Sequence, residues 1–174
     1  DVAKDSSLDA VVRLHGLWGA DQIARQNDEL STNIIQSIRP LLAADDDLVR
    51  SAAIKFAGEH RDQESLSMVR KSLQYEAARV KYSALMALSA LHDQGSLDQI
   101  LHEISNNSES DVALRHAGIV ALSETQTPQV LESLKNHPSE IVRVSAVVSL
   151  RRLRHANVAA FLDRDGTLNE ERGY

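Results

Sequence analysis

A helix-length pattern returns five times along this chain. A sequence built that way does not gather its apolar residues around one centre; it stacks them unit on unit. The copies read VRLHGLWGA from Val12, VRSAAIKFA from Val49, VKYSALMAL from Val80, LRHAGIVAL from Leu114 and VRVSAVVSL from Val142. Each opens with an aliphatic residue followed by a basic one: Arg13, Arg50, Lys81, Arg115 and Arg143. Successive basic residues lie 37, 31, 34 and 28 positions apart, within or near the period of about 30 to 47 residues that marks two-helix repeats. The expected fold is all-α: a right-handed solenoid of about four to five helical hairpins over residues 1–162, with residues 163–174 as a tail, a truncated repeat or the start of another domain.

Placing each copy on a helix at 100° per residue explains its composition. Counted from the basic residue, positions −1, +3, +4 and +7 fall in one sector. They hold Val12, Val49, Val80, Leu114 and Val142; Gly16, Ala53, Ala84, Gly118 and Ala146; Leu17, Ile54, Leu85, Ile119 and Val147; and Ala20, Ala57, Leu88, Leu122 and Leu150. This sector is expected to face the paired helix. Positions +2 and +6 are mostly Ala, Ser or Gly, with His15 and Phe56 as exceptions, so a helix of the adjoining repeat can approach closely on that flank. The basic column stands at the edge of the apolar sector, its stem buried and its head in need of a partner. Acids just before it, Asp47, Asp111 and Glu140, suit the helix N-terminus and are candidates to pair with the neighbouring repeat as a ladder. The Lys81 copy has only Glu76 and is expected to form the weakest rung.

Local signals divide the chain into these helices. Ser6, Ser7 and Asp9 start the first, which runs to about Gln26 with no partner before it. Further helices are expected near 32–43, 62–73 and 77–91. Ser96 and Gln99 have the spacing of a capping box. A helix near 111–123 follows, then one capped by Thr127 with Pro128 at its first position, and a last one from about Glu140 to Arg154.

Composition narrows the function. Aromatics are only 3% of the chain, as suits helices packed closely through small side chains. The net charge of −6 gives no general attraction to phosphate backbones, so nucleic acid is not an expected partner. The basic group Arg151, Arg152, Arg154 and His155 reads as a helix C-terminus, where cations complement the dipole. The absence of cysteine excludes disulfides, thiolate metal sites and haem attachment within these residues. No apolar run reaches the roughly 18 residues needed to span a bilayer. Seven histidines are scattered over different repeats without the i, i+4 spacing of a metal pair, and no P-loop or nucleophile elbow occurs. No catalytic residue, metal or cofactor is expected.

An Asp preceding V-R-x-x-A, with two helices per unit, resembles HEAT-like repeats over nearly the whole chain. RLHGLWGADQIAR at 13–25, DVALRHAGIVAL at 111–122 and VRVSAVVSLRRLRHANVAAFL at 142–162 are similar to the HEAT segment of large multidomain bacterial dehydrogenases common among planctomycetes. In those proteins the segment lies between a β-propeller and a c-type cytochrome domain. The resemblance implies a spacer in an envelope-facing, periplasmic or cell-envelope redox protein, with the chemistry outside these residues.

The last residues, FLDRDGTLNEERGY from Phe161, resemble the first motif of haloacid-dehalogenase-type phosphatases. That resemblance implies Asp163 as nucleophile and Mg²⁺ ligand and Asp165 as general acid–base. The other reading makes NVAAFLDRD the first helix of a further repeat. A strand ending at Asp163 is the mark of the first reading and a helix after Asn157 that of the second.

The remaining candidate site is a surface. Positions +1 and +5 lie on the side away from the core and hold Leu14 and Trp18, Ser51 and Lys55, Tyr82 and Met86, His116 and Val120, Val144 and Val148. Solenoids commonly bind along a surface built from one helix per repeat. Trp18, Tyr82, Met86, His116 and Val120 are therefore expected to contact another protein or an adjacent domain, unless the stripe merely covers the core.

Overall fold

The computed structural model describes residues 2–107 and 111–164. Among them are nine α-helices, five short 3₁₀ turns and no strand. The helices are α1 (Ala10–Gln26), α2 (Asp28–Ile38), α3 (Asp47–Glu59), α4 (Leu66–Ser72), α5 (Ala78–Ala90), α6 (Leu97–Asn106), α7 (Val112–Thr125), α8 (Pro128–Ser133) and α9 (Glu140–Arg164). The pairs α4–α5, α6–α7 and α8–α9 pack as hairpins; α2 packs on α1, and the 3₁₀ turn Arg39–Ala43 that follows it packs on α3, while α1 also stands against a 3₁₀ turn at Val2–Lys4. The second helices stack in one row, α1 on α3, α3 on α5, α5 on α7 and α7 on α9, and this row carries the fold from end to end. The all-α solenoid expected from the repeat is what forms.

Helix starts follow the side chains that satisfy free backbone N–H groups. Asp9 accepts from the Val11 amide, Asp46 from Leu48 and Val49, Asp111 from Leu114, and Thr127 from Val130. Ser96 departs from its expected capping box: its hydroxyl donates to Asp93, and Gln99 leaves its Oε1 buried without a partner. α4 is shorter than the helix expected near 62–73, and α2 begins four residues before the helix expected near 32–43. Pro40 lies in a 3₁₀ turn that ends the second helical stretch, and the turn at Gln63–Ser65 delays α4.

The repeated apolar sector makes the core. Val49, Ile54, Val80, Leu85, Leu88, Leu122 and Val142 are fully buried, and Ile100, Ile104 and Leu131 meet them from the first helices. Two positions of the sector stay open. Val12 on α1 is 44% exposed, and Val147 on α9 is 52% exposed. Between α3 and α5 the backbones nearly touch: a Cβ added to Gly58 would stand 2.7 Å from the Ala87 Cα. The hydroxyls of Ser51 and Ser83 meet at 2.8 Å in the same seam.

The basic column does not form the expected ladder. Arg13 donates to the carbonyl of Ala3 at 3.1 Å, Arg50 pairs with Asp47 of its own helix at 2.5 Å and lies over the Tyr75 ring, and Arg143 holds the carbonyls of His137 and Pro138. Asp111 serves as a cap. Lys81, expected to be weakest, has a half-buried pair with Glu103 of α6 at 2.8 Å, because Glu103 projects from the buried side of that helix and needs a cation. The ladder stands on the other row. Arg39 grips Asp62 through Nε and Nη2 at 2.8 and 2.7 Å, and Arg70 grips Asp93 through the same two nitrogens, 31 residues later. Each aspartate follows a left-handed residue, Arg61 at φ 51° or His92 at φ 52°. Backbone bonds from Asp62 to Ala57 and from Asp93 to Leu88 close the same helix-ending turn at both places.

Burial by itself would raise the pKa of Asp62 and Asp93. Hydrogen bonds from Arg39 and Ser65 to the first, and from Arg70, Ser96 and the Gly95 amide to the second, together with the guanidinium charges, outweigh it and hold both carboxyls below the usual aspartate range. A carboxylate with a lowered folded-state pKa adds stability that is complete above its unfolded value and is lost as pH falls through the folded one.

Two measurements check this account. Acid titration of stability should show wild-type losses beginning near pH 4 and continuing below it, with Asp93→Asn less stable by about 2 kcal/mol at neutral pH and flatter in acid. Gly58→Ala should lower stability by roughly 1–2 kcal/mol, since overpacking against backbone outweighs the gain in helix propensity. Gly19→Ala, where an added Cβ meets nothing within 4 Å, should raise it by up to about 1 kcal/mol. Thermal melts of the two variants are expected to move in opposite directions.

Candidate protein-binding surface

Tyr82 and Met86 stand one turn apart on α5 and overlook a groove between α3 and α5. Its volume is about 330 Å³, and Lys55, Gly58, Glu59, Ser83, Ala87 and Ala90 complete the lining. The groove follows from the seam beneath it. Gly58 and Ala87 bring the two backbones together with almost no side chain between them, so the larger residues on either flank rise above an apolar hollow. Tyr82 is 37% exposed and Met86 is partly buried against the core.

Trp18 lies on the same face one helix earlier. It is 57% exposed, meets His15 edge-on with ring centres 5.0 Å apart, and borders a shallow dent of about 60 Å³ shared with Asp21, Phe56, Lys55 and Glu59. Lys55 and Glu59 belong to both depressions and join them. Along this rim the charges are paired in sequence: Lys55 with Glu59 at 3.6 Å, Glu59 with Arg25 at 2.8 Å, Arg25 with Asp21 at 2.8 Å, and Asp21 with His60 at 2.8 Å. Burial pushes the Asp21 carboxyl up, but hydrogen bonds from Arg25 and His60 and their charges hold it below the usual range. The rim thus carries both signs beside an apolar hollow.

The five expected contact residues separate in space. Trp18, Tyr82 and Met86 border the joined depressions, with Tyr82 and Met86 in one groove. His116 is exposed on α7 outside both, and Val120 is only 8% exposed. The +5 position turns inward there because α9 covers that side of α7, where Ser149 donates to the Ile119 carbonyl and Arg152 to the Ser123 hydroxyl. Ser51 of the same stripe is buried in the α3–α5 seam.

A second cleft, of about 400 Å³, was not foreseen. Leu73, Gln74, Lys81, Asp98, Gln99, His102 and Glu103 line it. Its sequence signal was the acid Glu103 on the buried side of α6, three residues after Ile100 and one before Ile104. Among the described residues no group of three acids or histidines is placed to hold a metal ion, and no helix is long and apolar enough to cross a membrane. α9 carries the backbone through Asp163 as helix up to Arg164, so NVAAFLD continues α9 instead of starting a separate helix. Asp165 and the side chain of Asp163 lie outside the described residues.

The geometry and the repeat agree with the sequence model of HEAT repeats, which matches residues 35–123, just over half of the chain. The chain belongs to the HEAT-repeat family. Its match spans α3, α4, α5 and α6, with the end of α2 and most of α7, and so includes both helices that hold the groove. Among solved structures, the chain is similar to one in the complex of CpcE and CpcF of phycocyanin lyase from Nostoc sp. PCC7120. The TM-score is 0.63 and the identity 14%, with 92% of this chain covered. The chain spans 66% of the length of that one, and at such identity the likeness concerns the fold. A comparison with curated proteins finds no match.

Surface and core members of the stripe should separate by stability. Trp18→Ser is expected to change it by less than about 0.5 kcal/mol, as for an exposed site. Val120→Ser should cost roughly 1–3 kcal/mol by burying a hydroxyl, and chemical denaturation of both variants reads the difference.

Proposed function

We propose that this HEAT-repeat chain is a non-catalytic scaffold that binds a protein segment along the face formed by α1, α3 and α5. The observation that carries this reading is the α3–α5 groove. It has an apolar floor, Tyr82 and Met86 on one side, and the exposed Lys55–Glu59 pair on the other. Amphipathic aromatic and flexible thioether side chains beside an apolar hollow favour contact with another protein surface. The paired charges give orientation more than affinity. Repeats of this family present such faces to protein partners, and the similar chain from Nostoc is itself in a complex with a second protein.

The resemblance of 13–25, 111–122 and 142–162 to the HEAT segment of multidomain dehydrogenases supports a narrower form of the proposal. In it the chain is a spacer whose groove receives a neighbouring domain of a larger, envelope-facing redox protein. The spacer then works by shape: consecutive repeats hold two domains at a fixed distance, and the groove fixes one of them in rotation.

Site-specific photo-crosslinking from position 82 identifies the bound segment, and affinity is then measured for it. Tyr82→Ser combined with Met86→Ser should weaken binding about tenfold or more, roughly the 1.4 kcal/mol or more expected of a pair of central contacts. Lys55→Glu, at a side chain 69% exposed, tests the rim without loading the fold and should also weaken binding. Loss of fold in the double variant together with unchanged affinity in Lys55→Glu makes the stripe a core cover and ends the proposal.

A further inference from the structure

We propose that the cleft between the start of α5 and one face of α6 is a second binding site, and that it takes a guanidinium group, carried by an arginine side chain or by a small guanidino compound. This inference is independent of the groove of α3 and α5.

The cleft stands at a place that the preceding unit fills. α4 and α6 share one register, 31 residues apart: Ser65 and Ser96, Val69 and Ile100, and Leu73 and Ile104 occupy equivalent positions and are all buried. In the earlier unit Arg50, Met68 and Ser72 hold the places that Lys81, Gln99 and Glu103 hold in the later one. Met68 packs against the core, and the Ser72 hydroxyl donates to the Met68 carbonyl at 2.8 Å. The Arg50 guanidinium, unbonded at Nε, lies over the Tyr75 ring at 3.8 Å from its centre and pairs with Asp47. In the later unit a carboxamide and a carboxylate replace the thioether and the hydroxyl. Beside them lies the cleft of about 400 Å³, large enough for a small ligand. Burying such polar groups costs stability, so the fold alone does not call for them here.

The lining defines the chemistry of the ligand. Lys81 Nζ donates to Glu103 Oε2 at 2.8 Å, with side chains 23% and 7% exposed, and the two charges cancel. Asp98, exposed on the same helix face, leaves two acids against one cation when His102 is uncharged. The whole chain carries −6, so its field also favours a cation over an anion. His102 is already occupied by the Asn106 amide at 2.8 Å. Gln99 Oε1 is sealed from water and has no donor, an uncommon and costly state for a carbonyl oxygen. The last torsion of a glutamine side chain is soft, so a donor entering the cleft turns that oxygen outward and relieves the cost. Asp98 and Gln99 then stand one helical turn from Glu103, a spacing at which side chains are neighbours. A guanidinium spreads its N–H groups over a plane and reaches acceptors so placed, whereas an ammonium is a compact point charge. Leu73 supplies an apolar wall for the methylene chain that carries it.

Amide chemical shifts of the isotopically labelled chain test this, with N-acetyl-arginine methylamide as the probe. Methylguanidinium and the lysine and citrulline counterparts of the probe are titrated beside it. The arginine probe should give saturable shifts centred on Lys81, Gln99 and Glu103, with a Kd in the millimolar range expected of so small a ligand. The citrulline probe keeps the shape without the charge, and it and the lysine probe should bind at least about fivefold more weakly. Methylguanidinium binding as tightly as the arginine probe supports the site with a free guanidino compound as its ligand; tighter binding of the arginine probe supports it with a protein segment. Gln99→Met restores the arrangement at Met68, so it should melt at or above wild type and weaken the arginine probe about tenfold or more. Asp98→Asn, at an exposed position, leaves the core untouched and should weaken it by about threefold. The Tyr82→Ser, Met86→Ser variant should bind the probe as the wild type does, which separates this site from the groove. Shifts that spread without saturating, citrulline or lysine bound as tightly as arginine, or an affinity that survives Gln99→Met or Asp98→Asn overturns the proposal and leaves the cleft to water.

Discussion

Close approach between successive helices of the stacked row is the constraint on which the rest depends. At Gly58 and Ala87 two backbones come within the distance that a single added carbon would violate, and Ser51 and Ser83 share a hydrogen bond in the same seam. Small side chains make the contact possible, and contact at that distance sets how each hairpin is placed on the one before. The larger aliphatic residues, Ile54, Leu85 and Leu88, then turn toward the paired first helices and are buried there. Because each hairpin touches only its neighbours, stability is a sum of such seams, and the groove beside Tyr82 exists because one seam is so narrow.

The first helices are held by a different device. Arg39–Asp62 and Arg70–Asp93 tie a first helix of one unit to the turn that begins the next, and both aspartates also hold a serine hydroxyl, of Ser65 and Ser96. Buried carboxylates are costly unless their oxygens are hydrogen-bonded, and here every acceptor is used. The two rows of the solenoid therefore differ in kind: one is set by close packing, the other by paired charge. The next turn, after α7, has Gln126 and Thr127 in place of this arrangement, and α8 enters through a proline and a threonine cap instead.

The external surfaces inherit this plan. The faces between helices of the row hold small residues such as Gly58, Ser83, Ala87 and Ser149, all buried. The lateral face is a mixture, with the charge chain from Lys55 to His60 beside Tyr82, Met86 and Trp18.

Much of this was legible in the sequence because helix periodicity and capping are local properties. Five copies of one pattern, their spacing, and the caps at Asp9, Asp111 and Thr127 determined an all-α stack, and position along the helix determined that residues such as Val49, Ile54, Leu85 and Leu122 would be buried. What the sequence left open concerned contacts between units. The pairing of Lys81 with Glu103, the Arg39–Asp62 and Arg70–Asp93 ties, and the burial of Val120 beside an exposed His116 depend on how far one hairpin is rotated and shifted on the next. That offset is decided by the fit of small residues in the seams, and a single-helix projection carries no information about it. The groove belongs to the same category: Tyr82 and Met86 were recognisable as an apolar pair, but only the packed structure gave them Lys55, Glu59 and Gly58 as surroundings. Local sequence determined which faces each helix would have, and tertiary packing decided which of those faces remained open.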